Sequence, residues 1–307
     1  MMTYRVAAWA FLFMGLVWFQ IPLALGSAKI DGRTVEEAYP GLASGILKSA
    51  KLANLKNGVL LTAEGVRIDE STLTEMFKDE KPEIQEQLKK NLFFVLEQQA
   101  IQKILLHEAH KSGQKKGEPK DQVIMMYLDE NISEVTVTDK EAKAFYDENK
   151  EMTGGMPFDQ VKDAIHGYLL QRKKQEAVAN FLQALGKGMD IRINREWVKK
   201  QDVLERDNPV DSARRSGKPT LVQFGATGCG PCDMMKPILA DLKKKYKDRL
   251  NVVYINVGEQ QILGARFDIR VIPVQAFFDN NGREVFRHVG FYPQTKIEKR
   301  LAAMGIS

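Results

Sequence analysis

One stretch constrains this chain more than any other: Thr220-Leu-Val-Gln-Phe-Gly-Ala-Thr-Gly-Cys229-Gly-Pro-Cys232-Asp-Met-Met-Lys236. A β-branched, apolar run ends in small residues, and two cysteines three apart stand where a helix begins. They are the only two cysteines in the chain. Positions i and i+3 are neighbours on a helical turn, so both sulfurs share one face. That suits the roughly 5–6 Å Cα separation a disulfide prefers. Pro231 fits a first helical position, where its missing N–H costs little. Cys229, just ahead of the helix, meets the positive end of the helix dipole, which favours a thiolate. Cys232, more covered, is placed to resolve a mixed disulfide. Two plainer roles stand beside this one, a structural disulfide and half of a zinc site. Zinc usually takes four ligands, and the four histidines lie far off in sequence. The spacing therefore points to redox chemistry.

From Lys218 the pattern alternates. Strand 219–225 leads into helix 230–247, strand 251–257, helix 259–267, strands 273–279 and 283–289, and helix 293–304. Pro209 opens a short helix ahead of them. Asp279-Asn-Asn-Gly282 is a hairpin turn between antiparallel strands. This order predicts a small mixed sheet flanked by helices, an α/β fold.

Here the chain resembles the thioredoxin family, across about 205–307. Phe224-Gly-Ala-Thr-Gly-Cys-Gly-Pro-Cys232 matches the active-site loop, Ile272-Pro273 the cis-proline loop, and Gly290 the glycine after the last strand. The resemblance implies a thioredoxin fold over 208–307 and thiol–disulfide exchange by Cys229 and Cys232. It also implies a substrate path bordered by Gly230, Pro231, Ile272 and Pro273, where an extended client segment pairs with the backbone. No cofactor and no metal are expected. Three positions depart from the family: Gly228 stands where it usually has Trp, Gln223 replaces a buried acid, and Tyr254 replaces a lysine. An amide cannot take up and release a proton as a carboxylate can, so slower or differently tuned deprotonation of Cys232 is expected, with no buried Asp–Lys pair.

The chain before this part is of another kind. Residues 29–57 are mixed and Gly-containing, and read as a weakly structured lead-in. Gly58 to Ile68 reads as a hairpin turning at Glu64-Gly65. Asp69 or Ser71 can cap a short helix through Phe77. Pro82 opens a long helix ending near Ser112-Gly113, with Ile84, Leu88, Leu92, Val95 and Leu96 along one face. His107 and His110 on it lack the spacing of a zinc protease and read as a solvated face. Another helix spans about 119–131. Thr138-Asp-Lys-Glu141 is a capping box. Pro157 opens a second long helix that Gly186 and Gly188 stop, and Ile191 to Ile193 looks extended. Residues 29–193 thus predict a mostly α domain, and the polar stretch 194–207 a linker. The fold class is multidomain, mostly α followed by α/β.

The helical part resembles the N-terminal chaperone domain of SurA/PrsA-type periplasmic prolyl isomerases. The residues that carry this are the hairpin before Asp69, Gln85 to Ser112, Val137 to Lys150, and Pro157-Phe-Asp-Gln-Val-Lys-Asp-Ala-Ile165. The resemblance implies a cradle for unfolded polypeptide. Only six residues separate Lys150 from Pro157, too few for a parvulin domain, so no isomerase activity is expected.

Residues 6–25 are apolar and nearly uncharged, Arg5 precedes them, and Gly26-Ser27-Ala28 follow. Residues 1–28 read as a signal peptide, or else as a membrane anchor, since about 20 apolar residues can cross a bilayer. A periplasmic or otherwise extracytoplasmic site is expected, with a membrane tether through 6–25 as the alternative. The 45 basic and 40 acidic residues make a mixed surface unlike that of a nucleic-acid binder. The expected function is an exported thiol–disulfide oxidoreductase acting on client polypeptides with thiols or disulfides, coupled to a redox partner that the sequence does not name. The alternative is a non-catalytic holdase using the thioredoxin fold as a docking module.

Overall fold

The computed structural model describes residues 30–114, 117–153 and 155–306. The apolar stretch 6–25 lies outside the described residues. Among those described, no helix is long and apolar enough to cross a membrane.

The N-terminal half opens with β1 (Ile30–Thr34), the short helix α1 (Val35–Ala38), a 3₁₀ turn (Ile46–Ser49) and β2 (Lys51–Ala53). The hairpin follows as β3 (Val59–Ala63) and β4 (Val66–Asp69), then α2 (Glu70–Glu75). Helices α3 (Pro82–Lys90), α4 (Leu92–Lys111), α5 (Lys120–Asn131), α6 (Asp139–Glu148) and α7 (Phe158–Gly188) come next. Strand β5 (Arg192–Asn194) then returns to the start. It lies between β2, to which it is parallel, and β3, to which it is antiparallel, in the order β1-β2-β5-β3-β4.

This sheet corrects the reading of residues 29–57. They are not a loose lead-in: Val35, Ile46, Leu47, Ala50 and Leu52 are fully buried in the first core, with Phe93 and Leu96 of α4 and Trp197. Each element there is too short to show a hydrophobic period, and its pairing partner lies at the far end of the helical excursion. The side chain of Glu97 fastens the two. Its carboxylate accepts from the amides of Ser44 (2.9 Å), Gly45 (2.9 Å) and Leu47 (3.2 Å) and from the Ser44 hydroxyl (2.8 Å). Glu97→Ala strands these donors in the interior, and unfolding in urea is expected to show a loss of about 3 kcal/mol. A loss below the level of an ordinary surface substitution would contradict this account of Glu97.

Two further expectations shift in detail and a third holds. The first long helix is two, because Asn91 leaves helical geometry and its side-chain amide donates to the carbonyl of Gln87 at 2.8 Å. Gly186 does not stop α7 but lies within it. A Cβ there would sit 2.3 Å from the carbonyl oxygen of Ile46, so glycine permits helix and 3₁₀ turn to touch. The capping box at Thr138 is present, with Glu141 bonded back to the Thr138 amide at 2.9 Å.

The stretch 194–207 is helix α8 (Arg195–Glu205) rather than a polar tether. Asn194 caps it through the amide of Trp197. Trp197 and Val198 enter the first core. On its other side Asp202 pairs with Arg215 (2.8 Å) and Glu205 lies 2.8 Å from Arg266, both beyond the helix in sequence. Gln87 of α3 adds a direct bond to the carbonyl of Glu259 at 2.8 Å.

The C-terminal part follows the expected order. Helix α9 (Pro209–Arg214) precedes β6 (Thr220–Gly225), α10 (Gly230–Lys245), β7 (Asn251–Asn256), α11 (Gln261–Arg266), β8 (Val274–Phe278), β9 (Glu284–Val289) and α12 (Gln294–Ala303). The sheet runs β7-β6-β8-β9, with β6 parallel to β7 and the remaining pairs antiparallel. Central strand β6 is buried on both faces, as its unbroken apolar run requires. Leu221 and Phe277 pack under Met235, Leu239 and Leu242 of α10 and Ile297 and Leu301 of α12. Val222 and Phe224 face the opposite core, with Val210, Leu263 and Phe267.

Candidate active site

Strand β6 delivers the chain to the cysteine loop. Cys229 is the N-cap of α10 and Pro231 lies in its first turn. The sulfurs form a disulfide, with an S–S distance of 2.09 Å and Cα atoms 5.2 Å apart. The amide of Cys232 points at Cys229 Sγ at 3.3 Å. An amide donor and the dipole end of a four-turn helix both stabilise negative charge on that sulfur. Cys229 is half-buried, Gly230 and Pro231 are exposed, and Cys232 is fully buried. The pair is therefore ordered: one sulfur faces outward and the other backs onto the core.

The second loop comes from β8. Phe224 pairs with Val274, which brings Ile272 and Pro273 to the sheet end where the cysteine loop leaves. The Ile272–Pro273 peptide bond is cis, and the amide of Gly290 donates to the Pro273 carbonyl at 2.8 Å. Val271 on the proline loop and Met234 near the start of α10 are exposed apolar side chains, at 52% and 58%. Beside Cys229, nothing lies within 4 Å of where a Cβ on Gly228 would stand, so the loop is open at that position.

Behind the sulfurs the sheet carries a row of polar side chains. Register pairs Tyr254 with Gln223, Gln223 with Gln275, and Gln275 with His288. Paired residues share a face, and Leu221 on β6 identifies it as the face under α10 and α12. Gln223 and Gln275 are fully buried, and neither amide has a hydrogen-bond partner. His288 stacks on Tyr292 with ring centroids 4.0 Å apart, and its Nε2 lies 3.2 Å from the carbonyl of Phe291. Those contacts fit a structural histidine. Gln275 was not legible as part of the site, because only register places it beside Gln223.

Lys236 follows the loop by one turn. Its hydrogen bond to Asp233 at 2.7 Å, with a smaller contribution from the Tyr254 phenol, holds it above the ordinary lysine pKa. Among the described residues no group of three or more His, Cys, Asp and Glu is placed to hold a metal ion. The chemistry available at this end of the sheet is thiol–disulfide exchange.

Comparison with known proteins agrees with that geometry. Residues 202–303 match the Thioredoxin family. The thioredoxin of Alicyclobacillus acidocaldarius is 35% identical over 96 residues, 31% of this chain and 90% of the relative. The thioredoxin of Staphylococcus saprophyticus is 36% identical over 99 residues, 31% of this chain and 93% of its own. The thiol:disulfide interchange protein TxlA homolog of Synechocystis is 32% identical over 102 residues, 33% of this chain and 57% of the relative. These similarities lie in about the last third of the chain, and the match begins inside α8. Through that third, the chain belongs to the thioredoxin family of thiol–disulfide oxidoreductases.

Proposed function

We propose that the protein is exported and that it exchanges disulfides of client polypeptides held by its helical half. The observation that carries this reading is the Cys229–Cys232 pair at the N-terminus of α10, with one accessible and one covered sulfur. In the reduced protein the Cys229 thiolate attacks one sulfur of a client disulfide. An S–S bond forms to Cys229, and the departing client sulfur leaves as a thiolate that takes a proton from water. Cys232 then attacks Cys229, the mixed disulfide breaks, and the second client sulfur leaves with the electron pair. The client gains two electrons and the protein closes its own disulfide. Gly230, Pro231, Ile272 and Pro273 border the path of the client segment, and the open space at Gly228 widens it.

Two features support a client-binding role for the helical half. Met76, Met125, Met126 and Met156 are exposed, and flexible, polarizable methionine adapts to varied apolar sequences. A cleft of 520 Å³ between α5 and α7 is lined by Met125, Leu128, Ile132, Val135, Leu170 and Val178. The likeness to SurA/PrsA-type chaperone domains points the same way. Export is supported by the apolar residues 6–25 and the small residues after them, whether that stretch is cleaved or kept as a tether.

Cys232→Ala tests the reading in exporting cells. It removes the resolving sulfur, so client adducts on Cys229 should accumulate and dissolve on addition of a thiol reductant. Failure to capture any covalent adduct would sink the exchange reading. Full protection of unfolded clients by Cys229→Ser would then favour the holdase.

A further inference from the structure

Gly225 ends β6 directly beneath the disulfide. A Cβ at that position would lie 3.2 Å from Cys232 Sγ and 3.2 Å from the hydroxyl oxygen of Tyr254, with Tyr254 Cε2 at 3.1 Å. The absent side chain thus leaves one small space that sulfur and phenol border together, and the two atoms are no further apart than twice that distance. Cys232 is fully buried, whereas Tyr254, on edge strand β7, is 38% exposed. Of the other polar groups in the row, Gln223 and Gln275 are amides, which do not exchange a proton as an acid or base, and His288 lies on the opposite edge strand, stacked on Tyr292. A buried thiol must nonetheless lose its proton before its sulfur can attack, since the thiolate is the nucleophile.

We infer that Tyr254 is a positioning residue for Cys232, the hydroxyl through which the thiol proton reaches solvent. This rests on the exchange reading above. In the mixed disulfide, the proton on Cys232 Sγ passes to Tyr254 Oη as the phenol hands its own proton to water. The Cys232 thiolate, held by a hydrogen bond from the re-formed hydroxyl, attacks Cys229 Sγ. The Cys229–client bond breaks and its electron pair leaves with the client sulfur. The phenol is unchanged at the end, so no further oxidant or reductant enters. Tyr254 acts on the second step alone, because Cys229 is reached by the helix terminus and the Cys232 amide instead.

Reaction of the reduced full-length protein with an aromatic disulfide that releases a coloured thiolate (dithiobis-nitrobenzoate) separates the steps. The first burst reports attack by Cys229 and the second reports attack by Cys232. Tyr254→Phe keeps the ring and removes the hydroxyl. We expect an unchanged first burst and a second slowed roughly 10- to 100-fold. We also expect the second burst of the unsubstituted protein to slow in deuterium oxide and that sensitivity to change in Tyr254→Phe. A purely packing role would not move the isotope effect. An unaltered second burst and isotope effect in Tyr254→Phe overturns the inference while leaving the exchange reading intact. Loss of both bursts in the unsubstituted protein overturns the exchange reading, and the inference with it.

Discussion

Cys229→Ser reduces insulin disulfides at least about a thousandfold more slowly than the unsubstituted protein, because the variant lacks its nucleophile. A serine hydroxyl stays protonated at neutral pH. The end of α10 supplies on the order of 1 kcal/mol to a negative charge, far too little to ionise an alcohol. The change is nearly isosteric at a half-buried position, so far-ultraviolet circular dichroism and the urea midpoint should stay close to those of the reduced parent. Turbidity of precipitating insulin chains measures the rate. Retention of a tenth of the activity or more would show that another group performs the attack.

The second large effect is expected where the two halves meet. Arg266 is almost fully buried. It bonds Asp211 at 2.6 Å and lies 2.8 Å from Glu205. The approach to Glu205 is out of line for a hydrogen bond, and neither of its oxygens has a donor, so the attraction there is coulombic. Arg266→Met removes the charge and leaves two carboxyl groups in the interior. The expected loss is about 3–5 kcal/mol at pH 8, above the value of about 7 to which burial raises Glu205. Urea unfolding of Arg266→Met beside the unsubstituted protein would reveal it, and a loss under 1 kcal/mol would mean that water reaches this junction freely.

Glu205 also makes the junction sensitive to pH. Burial, opposed by Arg266, pushes its carboxyl up from 4.5 to about 7. The folded state therefore holds a proton that the unfolded chain releases between those values. Stability from this group is complete below pH 4.5 and is lost as pH rises towards 7, by about 3 kcal/mol in all. Glu205→Gln keeps the shape without the titration. It should flatten this part of the stability–pH curve and exceed the parent in stability at pH 8. Identical slopes for the two proteins across pH 4.5–7 would contradict the assignment to Glu205.

Much of the site could be read before any coordinate was known. The β6–Cys229–α10 connection, the hairpin at Asp279 to Gly282, the capping box at Thr138 and the hairpin at Glu64-Gly65 are each specified within a few consecutive residues. Turn chemistry, caps and period act at that range, so these elements fall close to where they were expected. Glu97 was different. On sequence it is one polar residue on an apolar helix, and only the fold shows that it gathers the amides of Ser44, Gly45 and Leu47. Gln275 was equally silent until register set it opposite Gln223.

The amino-acid sequence alone determined the dithiol, the helix end that activates it, and the strand–helix order that carries both, because those depend on neighbours in the chain. Tertiary structure decided the rest. It drew residues 30–53 into a sheet whose middle strand β5 lies beyond six α-helices, with Lys51 bonded to Asp190 at a separation of 139 residues. It folded the charged stretch 194–207 into a helix buried from both sides, and it set the hydroxyl of Tyr254 beside Cys232. The physical reason is common to all three. Burial, strand pairing and the field at a buried charge are properties of surfaces that meet in space, and no local pattern of residues encodes which surfaces those will be.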